Sequence, residues 1–308
     1  MERFFKKGGA DFVHYCDKEN HSLAISMEYS CLVSHPMSAF NPEISARAII
    51  PKDLLGQASS LHLAIHISTE FVEASLSEAA GGEFHWSGIF SLEAGHKNIQ
   101  EAIAFVSERN WGDRVFRKCT VSFDTSEVCL VPGAFFSEEK AAELLSFQCE
   151  MSSPAAEFIE FPELDAVMIY GLPEWSADIC RKFPNARFYP QAALALRHAQ
   201  SFTGAGADVL GIYACANHLS LIIFRNRKVH LMNHFYIEGD EDILYHATNA
   251  AMRLGIDFEN AYVYVAANSG SESLCNLLKH YNRKTSLIFP GETSDQISYL
   301  SILHSLCA

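Results

Sequence analysis

Leu61-His62-Leu63-Ala64-Ile65-His66-Ile67-Ser68 reads as a β-strand, because Leu61, Leu63, Ile65 and Ile67 alternate with His62, Ala64, His66 and Ser68. A period of two is that of a strand with one buried face. Two further strands are expected at Phe71 to Leu76 and Glu83 to Leu92, separated by Ala79-Ala80-Gly81-Gly82. The two glycines supply the positive φ angles that a tight turn needs. The spacing of Ile99, Ala102, Ile103 and Val106 then predicts a helix with one apolar stripe.

The same order returns at 208–237, which predicts an internal duplication. Strands are expected at Asp208 to Cys215, His218 to Arg225 and Lys228 to Ile237, then a helix from Asp240 to Leu254 and a strand from Ala261 to Ala266. Asp240, Glu241 and Asp242 place negative charge on the helix N-terminus, Arg253 lies in its last turn, and Gly255 is placed to close it in the left-handed conformation. A meander of three strands, a helix and a further strand is the start of a ribonuclease-H-like unit. The fold class expected is therefore α/β, with two tandem ribonuclease-H-like units whose mixed sheets are flanked by helices.

Two such units in tandem resemble the actin-like ATPase superfamily, whose pilus-assembly and cell-division members are bacterial. A narrower resemblance is to the bacterial domain-of-unknown-function 3822 family, to which an actin-like ATPase fold has been attributed. It rests on Leu61 to Ser68, on Cys129-Leu130-Val131-Pro132-Gly133-Ala134-Phe135-Phe136, and on Gly239-Asp240-Glu241-Asp242-Ile243-Leu244-Tyr245, and it spans residues 58–290. The resemblance implies a fold and no biochemical role.

Actin-like ATPases grip phosphate through two hairpins carrying Asp-x-Gly-Ser/Thr, in which glycine lets backbone N–H groups approach the phosphate and aspartate holds hydrated magnesium. Laid on the first hairpin, this pattern puts His66 at the aspartate position, Ser68 at the glycine position, and Glu73 near a position often held by lysine. On the second it puts Gly211 at the aspartate position and Tyr213 at the glycine position, where a bulky ring is expected to fill the space of a phosphate. Magnesium prefers oxygen ligands, so both losses oppose Mg-ATP. The adenosine loop is replaced by Ala266-Ala267-Asn268-Ser269-Gly270-Ser271, whose small residues leave room for a cleft.

The leading expectation is a noncatalytic binding or assembly module with a protein partner, a degenerate nucleotide site, and no cofactor. The alternative is a divergent nucleotide-binding protein that uses Ser68, Thr69, Asn217, Ser269 and Gly270 without magnesium. A third class, a metal-dependent nuclease built on Asp124, Asp165 and Asp208, lacks the acid such chemistry takes from the first strand. No metal site is expected. His62 and His66 share a strand face but stand ~13 Å apart at ~3.3 Å per residue, and His230 and His234 have the same spacing.

The 308 residues are 49% hydrophobic and 19% charged, enough to bury one or two cores. Three divisions are expected: 1–57 as an N-terminal extension with a strand at Ser22 to Met27, 58–203 as the first lobe, and 204–308 as the second. Met27 and Met37 offer alternative translation starts. Phe202-Thr203-Gly204-Ala205-Gly206-Ala207 reads as a hinge, since its Gly204-x-Gly206 precedes a strand instead of opening a helix. A net charge of −14 disfavours nucleic acid and anionic membranes, and Arg225-Asn226-Arg227-Lys228 reads as a solvated hairpin turn.

Nine widely spaced cysteines with no C-x-x-C pair predict reduced thiols and a cytoplasmic protein. No apolar run approaches the ~20 residues of a membrane span, and the charged start, Met1 to Gly9, has no apolar segment after it, unlike a secretory signal. Ser137 is expected to cap a helix, with further elements at Ala166 to Tyr170, from Glu174, at Arg187 to Tyr189 and from Gln191 to Gln200. Ser294 to Leu306 is expected as a helix closing the second lobe, its Ile297, Leu300, Ile302 and Leu303 facing inward.

Overall fold

A computed structural model describes residues 12–16, 23–27, 52–68, 71–79, 84–91, 115–150, 152–153, 155–204, 206–215, 217–267, 271–288 and 298–307. The chain forms two compact units. Lobe I is built from Asn41–Leu194 and Gly291–Ala308, and lobe II from Met1–Phe40 and Ala195–Pro290.

The chain begins with an antiparallel pair, β1 (Phe12–Cys16) and β2 (Leu23–Met27), the second of which the sequence anticipates. Lobe I follows with a short helix α1 (Lys52–Gly56) and the meander β3 (Leu61–Ile67), β4 (Phe71–Glu78) and β5 (Phe84–Ser91). Strand β6 (Lys118–Phe123) then pairs parallel with β3. The helix expected around Ile99 to Val106 lies outside the described residues.

An insertion comes next: β7 (Val128–Pro132), α2 (Ala141–Ser146), β8 (Ala155–Phe161) and β9 (Ala166–Leu172), in a sheet of order β7-β9-β8 whose pairs are antiparallel. Leu145 and Ala141 of α2 pack on Cys129 and Ile169. Ser137 makes no side-chain cap; a 3-10 turn over Glu138–Lys140 leads into α2 instead. The main sheet resumes through α3 (Ser176–Lys182) and β10 (Ala186–Pro190), which pairs parallel with β6.

Helix α4 (Gln191–Ser201) leads into lobe II, which repeats the order: β11 (Val209–Cys215), β12 (His218–Arg225) and β13 (Lys228–Tyr236) as an antiparallel meander, α5 (Asp240–Arg253), β14 (Tyr262–Ala267) parallel to β11, α6 (Ser271–Lys279) and β15 (Thr285–Leu287). The last helix is α7 (Tyr299–Cys307). The two main sheets have the orders β5-β4-β3-β6-β10 and β13-β12-β11-β14-β15. Numbered by appearance within its sheet, each runs third, second, first, fourth, fifth, with the same strand directions.

Helix α5 follows its signals closely. The Glu238 N–H, just ahead of the helix, donates to Asp242 at 2.7 Å and ties the incoming chain to the first turn. At the other end Gly255 takes φ +65°, while the Ile256 N–H reaches Ala251 O at 2.8 Å and the Gly255 N–H reaches Met252 O at 3.1 Å. This pair of bonds is the Schellman closure. The turn at Arg225–Lys228 has positive φ at both Asn226 and Arg227, the twist that suits a two-residue hairpin. Arg225 is more than a solvated turn residue, since it donates to Leu254 O at 3.0 Å and lies 3.4 Å from Asp208.

Two expectations are overturned. Strand β3 has two buried faces: Leu61, Leu63, Ile65 and Ile67 enter the apolar core with Val72, Leu76 and Val121, while His62, Ala64, His66 and Ser68 are equally hidden on the other side. The element that hides them belongs to the second correction. The C-terminal helix does not close lobe II; it packs on β3 and β4 of lobe I. Leu300 and Leu303 are buried as expected, but so are Ser301 and His304.

Candidate functional site

The sheet face beneath α7 is a buried polar layer. Alternation places His62 and His66 of β3, Glu73, Ser75 and Ser77 of β4, and Thr120 and Ser122 of β6 on that side, none more than 3% exposed. Buried polar groups must find partners, and here α7 provides them. His304, in the middle of the helix, meets Thr120 Oγ1 at 2.8 Å through Nδ1 and Ser122 Oγ at 2.7 Å through Nε2. Thr120 also meets His62 Nε2 at 2.7 Å, and Ser122 meets His66 Nδ1 at 2.8 Å. The result is an unbroken chain, His62–Thr120–His304–Ser122–His66. Beyond it, Asp124 Oδ1 stands 3.6 Å from His66 Nε2.

A carboxylate anchors the start of the same helix. Ser298 caps α7 by accepting the Leu300 N–H at 3.1 Å and donates its own hydroxyl to Glu73 at 2.5 Å. Ser301, one turn on, donates to Glu73 as well. Burial pushes the Glu73 carboxyl up from its ordinary range, and the two serine bonds and nearby His66 offset only part of this. Burial pushes His62 down to about 4, with Lys118 adding to the effect. His304 falls well below the ordinary range through burial, with His62, His66 and Lys118 contributing. Both rings are therefore neutral at pH 7.

His66 and Gly211, the positions that the resemblance assigns to magnesium-holding acids, are both built over. His66 is tied into the imidazole chain. At the other, Gly211 of β11 lies under the ring of Tyr213: a Cβ at Gly211 would come within 2.9 Å of Tyr213 Cε2 and 3.3 Å of Ala199 Cβ. Tyr213 is wholly buried, and its hydroxyl meets His198 Nδ1 of α4 at 3.0 Å. The expectation that this ring fills the hairpin tip is thus corrected. It turns inward across Gly211, because strand residues two apart share a face and glycine leaves the space.

The candidate cleft residues divide between the lobes. Ser68, in lobe I, spends its hydroxyl on the Phe71 N–H at 3.3 Å and its own N–H on Phe71 O at 3.0 Å. Asn217, in lobe II, donates to Tyr236 Oη at 3.3 Å and accepts the Ile237 N–H at 2.8 Å. Thr69, Ser269 and Gly270 lie outside the described residues. Of the nuclease candidates, Asp208 faces Arg225, and Asp165 sits at φ +49° in the turn before β9, where its carbonyl accepts the Gly133 N–H at 2.8 Å.

The sequence profile of a family described as proteins of unknown function, DUF3822, matches residues 53–285. The chain belongs to that family. No curated protein matches the sequence. Among solved structures, a Bacteroides thetaiotaomicron VPI-5482 protein with an actin-like ATPase fold and unknown function is 15% identical, with a TM-score of 0.67 over 81% of this chain and 98% of that one. A PilM–PilN type IV pilus biogenesis complex is 14% identical, with 79% and 95% covered and a TM-score of 0.49. The ethanolamine utilization protein EutJ from Carboxydothermus hydrogenoformans is 8% identical, with 79% and 88% covered and a TM-score of 0.40. The fold of this DUF3822 chain is therefore that of the actin-like ATPases. Among the described residues, no helix is long and apolar enough to cross a membrane.

In the DUF3822 chain, Thr120, Ser122, Ser298, Ser301 and His304 are the site residues that the sequence reading missed. One signal for them was available. Lys118-Cys119-Thr120-Val121-Ser122-Phe123 alternates like β3, so its two hydroxyls fall on the side of His62 and His66 once the strands are paired.

Proposed function

We propose that this DUF3822 protein uses the actin-like fold without catalysis, as a binding or assembly module for a protein partner. One observation supports the reading: His66 and Gly211, which the resemblance puts at the acid positions of the phosphate hairpins, are each held in structure that an acid would break. At His66 a carboxylate would have to replace a ring nitrogen bonded to Ser122. At Gly211 any side chain must displace Tyr213. Divalent magnesium needs carboxylate or other hard oxygen ligands at such a site, and the hydroxyl of Ser68 and the amide of Asn217 are already engaged within their own hairpins.

The test is hydrolysis and binding by purified protein. With millimolar ATP and magnesium the expected rate is that of a His66→Ala control, and calorimetry with adenine or guanine nucleotides is expected to give no heat of binding. Turnover above the control overturns the noncatalytic reading. Binding without magnesium and without turnover transfers the assignment to a divergent nucleotide-binding protein.

A further inference from the structure

We propose that α7 is a proton-operated latch: three imidazoles joined by two hydroxyls hold the helix on lobe I while they share no more than one added proton, and a second proton releases it. The basis is a count of hydrogens. The chain His62–Thr120–His304–Ser122–His66 contains four contacts of 2.7–2.8 Å, and each takes one hydrogen. A hydroxyl donates once, and a neutral imidazole donates through one nitrogen and accepts through the other. The two hydroxyls and neutral His304 supply three hydrogens. The fourth comes from an end of the chain, either His62 Nε2 or His66 Nδ1.

Asp124 selects between these ends. When His62 donates, every hydrogen points the same way and His66 keeps its hydrogen on Nε2, 3.6 Å from Asp124 Oδ1, too far for a hydrogen bond but close enough for the carboxylate's charge to favour that tautomer. When His66 Nδ1 donates, Nε2 instead turns a lone pair toward the carboxylate. One added proton is accommodated on any of the three rings, because the other two rings can exchange tautomers and leave one hydrogen in each contact. Two added protons give five hydrogens for four contacts. One hydroxyl hydrogen then points at another donor inside a water-excluded layer, and two imidazolium rings share one hydrogen-bonded chain.

Among the remaining charged and titratable groups around α7, Lys118 reinforces this response and Glu73 opposes it. From β6, Lys118 adds positive charge at the His62 end. From β4, Glu73 is the cross-strand partner of His66 and the anchor of Ser298 and Ser301; burial holds its carboxyl above the ordinary range in the docked state, so its own protonation favours docking and subtracts at most one proton from the uptake of the three rings. Tyr299 of α7 meets Gln191 at 3.3 Å. The docked helix holds His62 and His304 below their ordinary values and the released helix does not, so release takes up protons and grows as pH falls below about 6.5. Ser301 and His304 belong to one helix, so breaking the chain also loosens the hold on Glu73. The latch is independent of nucleotide binding.

Hydrogen exchange read by mass spectrometry tests the latch on the full chain between pH 7.5 and 5, after correction for intrinsic exchange. In the wild type, opening of 298–307 is expected to rise more than tenfold per pH unit below pH 6, while β11 and β12 keep their protection. His304→Gln retains one donor and one acceptor but takes no proton; its opening is expected to change tenfold per unit or less. If that variant fails to fold by circular dichroism, His62→Gln replaces it, with the same expected flattening. Three results overturn the latch: flat protection of α7 in the wild type, a variant as steep as the wild type, or loss of β12 in step with α7, which marks global unfolding.

Discussion

Gly211 illustrates how one small residue sets the chemistry of a strand. Its missing side chain is the space in which Tyr213 lies, and Tyr213 in turn holds His198 of α4. Gly211→Ala is expected to cost about 1–3 kcal/mol by forcing the ring aside, measured by denaturant unfolding. Gly211→Asp, which restores the acid in the sequence, is expected to destabilise lobe II further without any gain in magnesium binding. Glu73 gives the opposite case. Its folded carboxyl lies above the unfolded value, so its contribution to stability is present at low pH and lost as pH rises through the folded value. Glu73→Gln is therefore expected to raise the melting temperature at pH 7.5 and to lose that advantage at pH 4. Glu73→Ala leaves the Ser298 and Ser301 hydroxyls unsatisfied and is expected to cost about 1–3 kcal/mol.

At the scale of elements, helices differ in how far the sequence announces them. Helix α5 carries acids at its first turn, an arginine at its last and Gly255 beyond, and each does what its chemistry suggests. A Cβ at Gly255 meets nothing within 4 Å, so Gly255→Ala isolates the cost of a left-handed φ. About 1 kcal/mol is expected, much of it recovered by Gly255→Asn, as read by urea denaturation. Helix α7 was legible as a helix and not by its destination. Its Leu300 and Leu303 face inward as any apolar stripe does, but Ser301 and His304 are hidden too, because the surface waiting for them is polar. Hydropathy marks burial against oil-like cores and is silent on burial against hydroxyls and imidazoles. Strand β3 shows the same limit: its period was right, and its second face was hidden nonetheless. The insertion strands β7 and β8 went unread because they join a small sheet that the duplicated pattern does not contain.

For the whole molecule, the strand order of both lobes followed from a repeated meander, while the site had to be assembled from strands and a helix far apart in sequence. The buried histidines also set how the protein responds to acid. Burial depresses His62 in lobe I and His198 in lobe II to about 4. A depressed histidine contributes stability that is complete above its unfolded value near 6.5 and drains away as pH falls toward the folded value. Each lobe is expected to lose about 2 kcal/mol per such histidine between pH 7.5 and pH 5, measured by chemical denaturation at both values.

The bond between Ser301 and Glu73 joins residues 228 positions apart. A ribosome releases β3, β4 and β6 long before α7, so during translation the nascent lobe I carries an uncovered layer of histidines, serines and a carboxylate that water solvates readily. Lobe II has its own sheet and helices in hand before that last segment emerges. The order of maturation is thus inverted relative to the order of synthesis: of the two main sheets, the one made first is the one covered last.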